Sequence, residues 1–509
     1  MEFMRGINSL HTTEKQNLQQ KHEFNFDNLI LEEFNIEPSL QSNHETKELK
    51  KQVLPSSLAS LELLSYYGSR FKRLRNQNIS NDNTEICVSV SPQKLSTEEI
   101  IRLAGARYIQ HSSQWHEIPM HPYGFGLSEE ENRDVELAQF LLAAAERVGC
   151  QQFERASMLL FNFPWNSSGG SPVQRVIFHF AQALGERINK GTGRRLTLKG
   201  CEKNQERELI EKLTWDTSMA VICHKKIPFN QVMQFAAVQA MVEHVASKSK
   251  IHLINLDIGC GVLCTSLMQA LADRQERPVQ FLKITAVGFQ GKTELEEIGK
   301  RLMSFAESLN LPFFYKVVFV KDVIEIKMEQ FEIEDDEAVV IYSPYLLRTM
   351  VSNSDSLENL MRVIRKIRPC IMIVLELEAN HNSPSFVNRF IEALFFYAAY
   401  FDCIETCMKE DYECRMRIEA ILSEGIRNIV AMEDRERTVR NVKIHVWRRF
   451  FARYRMVETE FSDSSLYQAN LVAKKFDCAN FCTLDKNGKC LIVGWKGTPI
   501  HSISAWKFL

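Results

Sequence analysis

The sequence contains no run of 18 apolar residues and no charged-then-apolar leader, so it is expected neither to span a membrane nor to be secreted. Neither sign of charge is in excess. With 62 basic residues against 64 acidic ones, the formal net charge is −2, and no global field draws the chain to nucleic acid or to a membrane surface. Such contact has to come from a local patch. The thirteen cysteines are odd in number, scattered and without a CxxC pair, which suits a reducing compartment better than a disulfide framework. Their closest spacings, Cys260/Cys264, Cys403/Cys407 and Cys478/Cys482, lack histidines at zinc-ligand distance, so no metal is expected. Sustained heptads are missing too, so leucine-rich helices are read as core packing before oligomer seam.

What is present centres on residues 251–263, Ile-His-Leu-Ile-Asn-Leu-Asp-Ile-Gly-Cys-Gly-Val-Leu. Ile251, Leu253, Ile254, Leu256 and Ile258 form the apolar run of a strand covered on both faces. Gly259 and Gly261 allow a sharp turn, and Leu263, Leu267 and Leu271 then recur at helical spacing. A βα unit with glycines at its turn is where a doubly wound fold places a nucleotide-like ligand.

At 509 residues the chain has room for two or three domains. Residues 1–130 read as a variable, largely disordered front, rich in Asn, Gln, Ser, Glu and Lys, with short apolar islands at Asn28–Phe34 and Leu58–Tyr67. The islands are either partner-folded helices or incidental hydrophobes in a spacer. Arg70, Lys72, Arg73 and Arg75 form a compact basic cluster, a candidate nuclear import signal. Ser96 and Glu99 make a capping box that opens a helix, and Pro119, Pro122, Gly124 and Gly126 mark a linker.

Residues 131–250 read as a leucine-rich helical section. Stripes run through Val135–Val148, Phe153–Leu160, Val173–Leu184 and Phe229–Met241. Lys190, Arg194, Arg195 and Lys199 crowd a Gly-rich loop, read as a solvated loop with phosphate contact as the sharper alternative. Residues 251–509 alternate strands (281–287, 317–320, 339–342, 371–375) with helices (293–309 behind a Thr293/Glu296 capping box, 355–367 and 384–401). That alternation predicts an α/β fold, a mostly parallel, doubly wound sheet with helices on both faces. In the tail, Arg440, Arg448 and Arg455 fall within roughly 80° of one another on an unbroken helix. They stand beside Trp447, Phe450, Phe451 and Tyr454 and are candidates for nucleic-acid contact.

From Glu136 onward the sequence resembles the plant GRAS family of transcriptional regulators. The first leucine-rich region matches Glu136–Glu146, followed by Gln152–Ala156, Pro172–Arg175 and Pro228–Ala237. The VHIID motif is similar to Ile251, His252, Leu253, Ile254 and Asn255, and the second leucine-rich region to Arg301–Pro312. The PFYRE region matches Ser383-Pro384, Phe386–Glu392 and Ile429–Ala431; the SAW region matches Gly494-Trp495 and Ser504, Ala505 and Trp506. Asn255 stands where the VHIID aspartate is usual, Leu263-Cys264 replace the Gln-Trp of the next turn, and Met432-Glu433-Asp434 change the acidic-glycine step. The body looks nearest to the DELLA-like branch, but the front has no recognisable DELLA motif. The resemblance implies a Rossmann-like, methyltransferase-like core (251–509) under an α-helical cap (131–250). It also implies nuclear location and gene regulation through other transcription factors, GRAS proteins included, as a homo- or heterodimer, with DNA contact secondary.

The rival class is an S-adenosylmethionine-dependent methyltransferase using the Asp257-Gly259-Gly261 turn. Leu263 occupies its third glycine position, and the next strand ends Ala286-Val287-Gly288 with no acid for the ribose hydroxyls. That pair would contribute roughly 1.5–3 kcal/mol per charge-assisted bond. Tyr342-Ser343-Pro344-Tyr345 is faintly like an amino-methyltransferase signature without its Asn or Asp, and His252 reads as a satisfied core histidine rather than a base. The chain is therefore expected to be no enzyme and to hold no cofactor.

Overall fold

Apolar side chains that alternate between two cores build the sheet at the centre of the molecule. The computed structural model describes residues 94–112, 127–161, 170–193, 217–289 and 291–509. Strand β1 (Lys250–Asn255) sends Ile251 and Leu253 into one core and Ile254 into the other. It pairs in parallel with β2 (Phe281–Gly288) on one side and β4 (Ala338–Pro344) on the other, Leu253 lying against Ile284 and Val340. Beyond β2 lies β3 (Phe313–Phe319), and beyond β4 lies β5 (Ile371–Leu377), both parallel. The chain thus runs outward from β1 to β3 and returns to begin again at β4, so the strand order reverses between β1 and β4.

The far end of the sheet is antiparallel. β9 (Thr498–Phe508) lies against β5, and its outer side takes β8 (Cys490–Trp495) and the short β6 (Met456–Thr459); β7 (Cys482–Asn487) closes that edge. These are the aromatic tail segments of the sequence, joined to the parallel half through the pairing of β9 with β5.

Helices cover both faces. On the Leu253 side lie α1 (Thr97–Ser112), α2 (Glu129–Gly149), α3 (Phe153–Phe161), α4 (Pro172–Thr192), α5 (Thr217–Lys226) and α6 (Pro228–His244). With them are α7 (Val262–Ala272), α8 (Lys292–Ser308), α10 (Phe386–Cys407), α11 (Tyr412–Val430) and α13 (Asp463–Lys474). On the Ile254 side lie α9 (Ser354–Ile367) and α12 (Ile444–Arg453). The Ser96/Glu99 capping box forms as the spacing predicts, at 2.8 and 3.3 Å.

Four details differ from the sequence reading. Strand β1 stops at Asn255 because the Asp257 N–H turns back to Asn255 Oδ1 (3.2 Å), so Leu256 and Ile258 are buried in the turn rather than in a strand. The helix expected to begin at Thr293 starts one residue earlier, after Gly291 at φ 65°, with no side-chain cap. The packed body also reaches ahead of residue 130: α1 buries Ile100, Ile101 and Ala104 in the main core, and Thr498 Oγ1 donates to Glu98 at 2.8 Å. Finally, the helix carrying Arg448 spans only 444–453. Arg440 precedes it and Arg455 follows it at φ 59°, so the continuous basic face does not form.

Candidate functional site

At the glycine turn, Gly259 and Gly261 adopt φ 54° and 83°, conformations that favour residues without a Cβ. Gly259 N–H donates to Asp257 Oδ1 (3.3 Å), so the acid of the turn stabilises its own loop. Asn255 links the strand to the helix: it accepts from the Asp257 amide and its Nδ2 lies 3.8 Å from Cys264 Sγ. An aspartate could make the first of these bonds but, ionised, has no proton to donate in the second. From α6, Gln234 Nε2 holds the start of α7, bonding Val262 O (3.0 Å) and Ser266 Oγ (2.8 Å).

Where a nucleotide site would present an acid, β2 ends at Gly288. A Cβ there would overlap Leu295 Cδ1 of α8. A side chain at the end of β2 would therefore have to displace Leu295, which the sequence alone did not show.

His252 is fully buried and satisfied. Its Nε2 meets Thr285 Oγ1 at 2.8 Å and its Nδ1 meets Glu337 Oε2 at 3.1 Å. Burial, with Lys283 and Lys316 nearby, pushes the ring's pKa down to about 3. The contact with Glu337 is therefore best described as a neutral Nδ1–H donating to a carboxylate.

The other motif residues also face inward. Arg389 donates to Ile429 O (3.2 Å), Ser383 O (2.8 Å) and Glu433 Oε1 (2.6 Å), tying the three parts of its region together. Trp495 Nε1 donates to Asp402 Oδ2 (2.7 Å), and the Trp506 ring lies 4.5 Å from Phe451, centroid to centroid. Of the candidate nucleic-acid contacts, Arg448 forks onto Glu458 (2.8 and 3.1 Å) and reaches Asn487 Oδ1 (2.9 Å), while Arg440 Nη2 donates to Asp434 O (3.1 Å). Arg194 and Arg195 lie outside the described residues, as do Arg70, Lys72, Arg73 and Arg75. The spaced cysteines converge in part: Cys407 Sγ sits 3.9 Å from Cys403 Sγ and 3.5 Å from Cys478 Sγ.

Sequence reasoning missed a polar group at the carboxyl ends of β4 and β5. It comprises Tyr345, which the sequence reading touched only as part of a faint signature, with Arg348, Glu376, His381 and His501, which come together only once the strand order is known. Tyr345 OH lies 3.0 Å from His501 Nδ1, and Arg348 N–H donates to Glu376 Oε1 at 3.2 Å.

Buried histidines make stability fall in acid. Burial pushes His179 down to about 4 and His252, His381 and His501 to about 3, so all four stay neutral in the fold. The unfolded chain takes up protons on these rings below an ordinary value of about 6.5, and stability is lost from there down to the folded pKa. The slope is roughly 1 kcal/mol per pH unit for each ring. Glu376, pushed up to about 7 by burial, acts in the opposite sense between its folded value and the ordinary carboxylate value near 4.5, as do Asp134, Asp257, Glu378 and Glu419, which burial also raises, while a lowered His224 adds to the four rings. Urea unfolding at pH 7 and pH 5 is expected to show the lower midpoint at pH 5.

Five parallel strands in the order 3-2-1-4-5, an antiparallel extension and a helical roof define a Rossmann-like, doubly wound α/β domain with a helical cap. The model of the GRAS domain family matches residues 137–507, and the chain belongs to that family. It is similar to DELLA protein RGL1 of Arabidopsis thaliana, 27% identical over 381 residues that cover 74% of this chain and 71% of the relative. It is also similar to GRAS family protein RAD1 of Medicago truncatula, 27% identical over 484 residues, 92% of this chain and 91% of the relative. Among solved structures it shares its fold with SCL7 of Oryza sativa, with a TM-score of 0.61 and 24% identity over 73% of this chain and 99% of that one.

Proposed function

We propose that this chain is a nuclear transcriptional regulator that acts mainly by binding other transcription factors, GRAS proteins included, as a homo- or heterodimer. The observation that carries this reading is that β2 ends without an acid, at Gly288 with Leu295 packed against it, in a domain whose family relatives are plant regulators. A scaffold of cofactor-binding type that buries its motif residues internally acts through its outer surface. Exposed Phe140, Met158 and Phe161 on α2 and α3 supply apolar contact area of the kind protein partners cover. Direct DNA contact is secondary in this reading, since Arg448 is engaged by Glu458 and Asn487. No helix among the described residues is long and apolar enough to cross a membrane.

A fluorescent fusion of the full chain, expressed in plant cells, is expected to concentrate in nuclei. Alanine at Arg70, Lys72, Arg73 and Arg75 together should move most of the signal to the cytoplasm, and affinity capture of the native chain from nuclei should recover transcription factors. An intact fusion excluded from nuclei, or capture that recovers no transcription factor, overturns the reading.

A further inference from the structure

The carboxyl ends of β4 and β5, and the stretch of β9 beside them, carry polar groups that the packing of the domain does not use. Ser343 Oγ, Glu376 Oε2, His381 Nε2, Asn382 Oδ1 and His501 Nε2 are buried and bond no protein group among the described residues. They sit on segments that meet at one edge. Ser343 is near the end of β4, residues 376–382 leave β5, and His501 on β9 pairs with Leu377. A buried polar group without a partner costs about 1–3 kcal/mol, so five at one edge require a physical reason.

Arg348 stands among them. Its half-buried guanidinium donates Nε–H to Tyr345 O (3.3 Å) and Nη1–H to Asn441 Oδ1 (3.4 Å), both neutral acceptors. Glu376 is the carboxylate at hand: its charge interacts with the Arg348 guanidinium, but its Oε1 hydrogen-bonds the Arg348 backbone amide rather than the side chain. Tyr345, whose ring lies 5.5 Å below that guanidinium, has φ 57°. For an aromatic residue this left-handed conformation costs on the order of 1–3 kcal/mol, and such strain gathers at ligand sites. Ser343 and Glu376 approach from the α12 side of the sheet and His501 from the α10 side. Past the strand ends the two sides come together around Tyr345 and Arg348.

We propose that this edge binds a small ligand bearing an oxyanion, carboxylate or phosphate, with the anion on the Arg348 guanidinium and polar substituents reaching Ser343, Glu376 and His501. Arginine's planar fork suits either anion. The position is the carboxyl edge at which open α/β sheets take ligands, one strand away from the glycine turn. This site stands whether or not the chain regulates transcription.

The test is a calorimetric titration of the purified full chain with sodium benzoate and, separately, with inorganic phosphate. Saturable binding of at least one probe below about 10 mM is expected, and Arg348→Met should weaken it at least about tenfold. Arg348→Lys, which keeps the charge, should retain part of the binding. Glu376→Gln, which removes negative charge beside the anion, should keep or tighten it, and it reports on the site even where Arg348→Met does not fold. Benzoate binding alone identifies a carboxylate site, and phosphate binding alone a phosphate site. Saturation by neither probe, equal binding in Arg348→Met, or binding lost in Glu376→Gln overturns the proposal.

Discussion

Replacing Arg175 with methionine is expected to lower the unfolding free energy by about 3–5 kcal/mol, the usual cost of leaving one member of a buried charge network unpaired. Arg175 is buried on α4, where Nε bonds Glu419 Oε1 (2.9 Å), Nη2 bonds Glu405 Oε2 (2.7 Å) and Nη1 bonds Gly170 O (2.7 Å). One side chain thus joins α4 to α10 and α11. Burial raises the Glu419 pKa even with Arg175 and Arg415 beside it. Without Arg175, Glu419 keeps, among the described residues, only Arg415 Nε at 3.9 Å as a cationic partner. Urea unfolding gives the size of the loss. Pairing the change with Glu419→Leu should recover a large part of it, because an apolar pair replaces a stranded carboxylate. If the single substitution costs under about 1 kcal/mol, the network is behaving as an exposed ion pair.

The second large effect is expected at Trp506, the tryptophan of the SAW motif. Trp506→Ala should cost about 3–5 kcal/mol, the range for emptying a large aromatic site in a core. Its ring packs on Phe451 of α12, its Nε1 donates to Ser504 Oγ (2.9 Å), and on β9 it stands between Met372 of β5 and Glu458 of β6. Losing it loosens the junction of β5, β6, β9 and α12. Trp506→Phe should keep more than half of the stability. A Trp506→Ala protein as stable as the parent but unable to capture its partners would instead make this residue part of the docking surface.

The parallel half of the molecule was legible because four of its five strands are buried on both faces and its helices carry unbroken stripes. Ile251 to Ile254 and Leu263, Leu267 and Leu271 announced β1 and α7 without any knowledge of their neighbours. The antiparallel half was not legible in the same way. Residues 490–495 and 498–508 read as aromatic segments; the edge of β5 makes a strand of the second, and that strand in turn pairs the first. Helix α11 was missed because Arg415 and Glu419 sit on its buried side and interrupt the apolar period. At the glycine turn, the missing acid after β2 was visible in Ala286-Val287-Gly288, whereas the leucine packed against Gly288 comes from the next helix. Arg348 and His501 gave no local signal, since their meeting depends on strand order. The basic face of Arg440, Arg448 and Arg455 was drawn on a helix that the left-handed Arg455 ends.

The central claim is that a fold of nucleotide-binding type here no longer accepts an adenosyl ligand and works through other proteins. Its most direct test is calorimetric titration of the purified full chain with S-adenosylmethionine. No saturable heat is predicted up to about millimolar concentration, because β2 ends at Gly288 with no acid for the ribose hydroxyls. A micromolar dissociation constant that disappears on Gly261→Val would contradict the account.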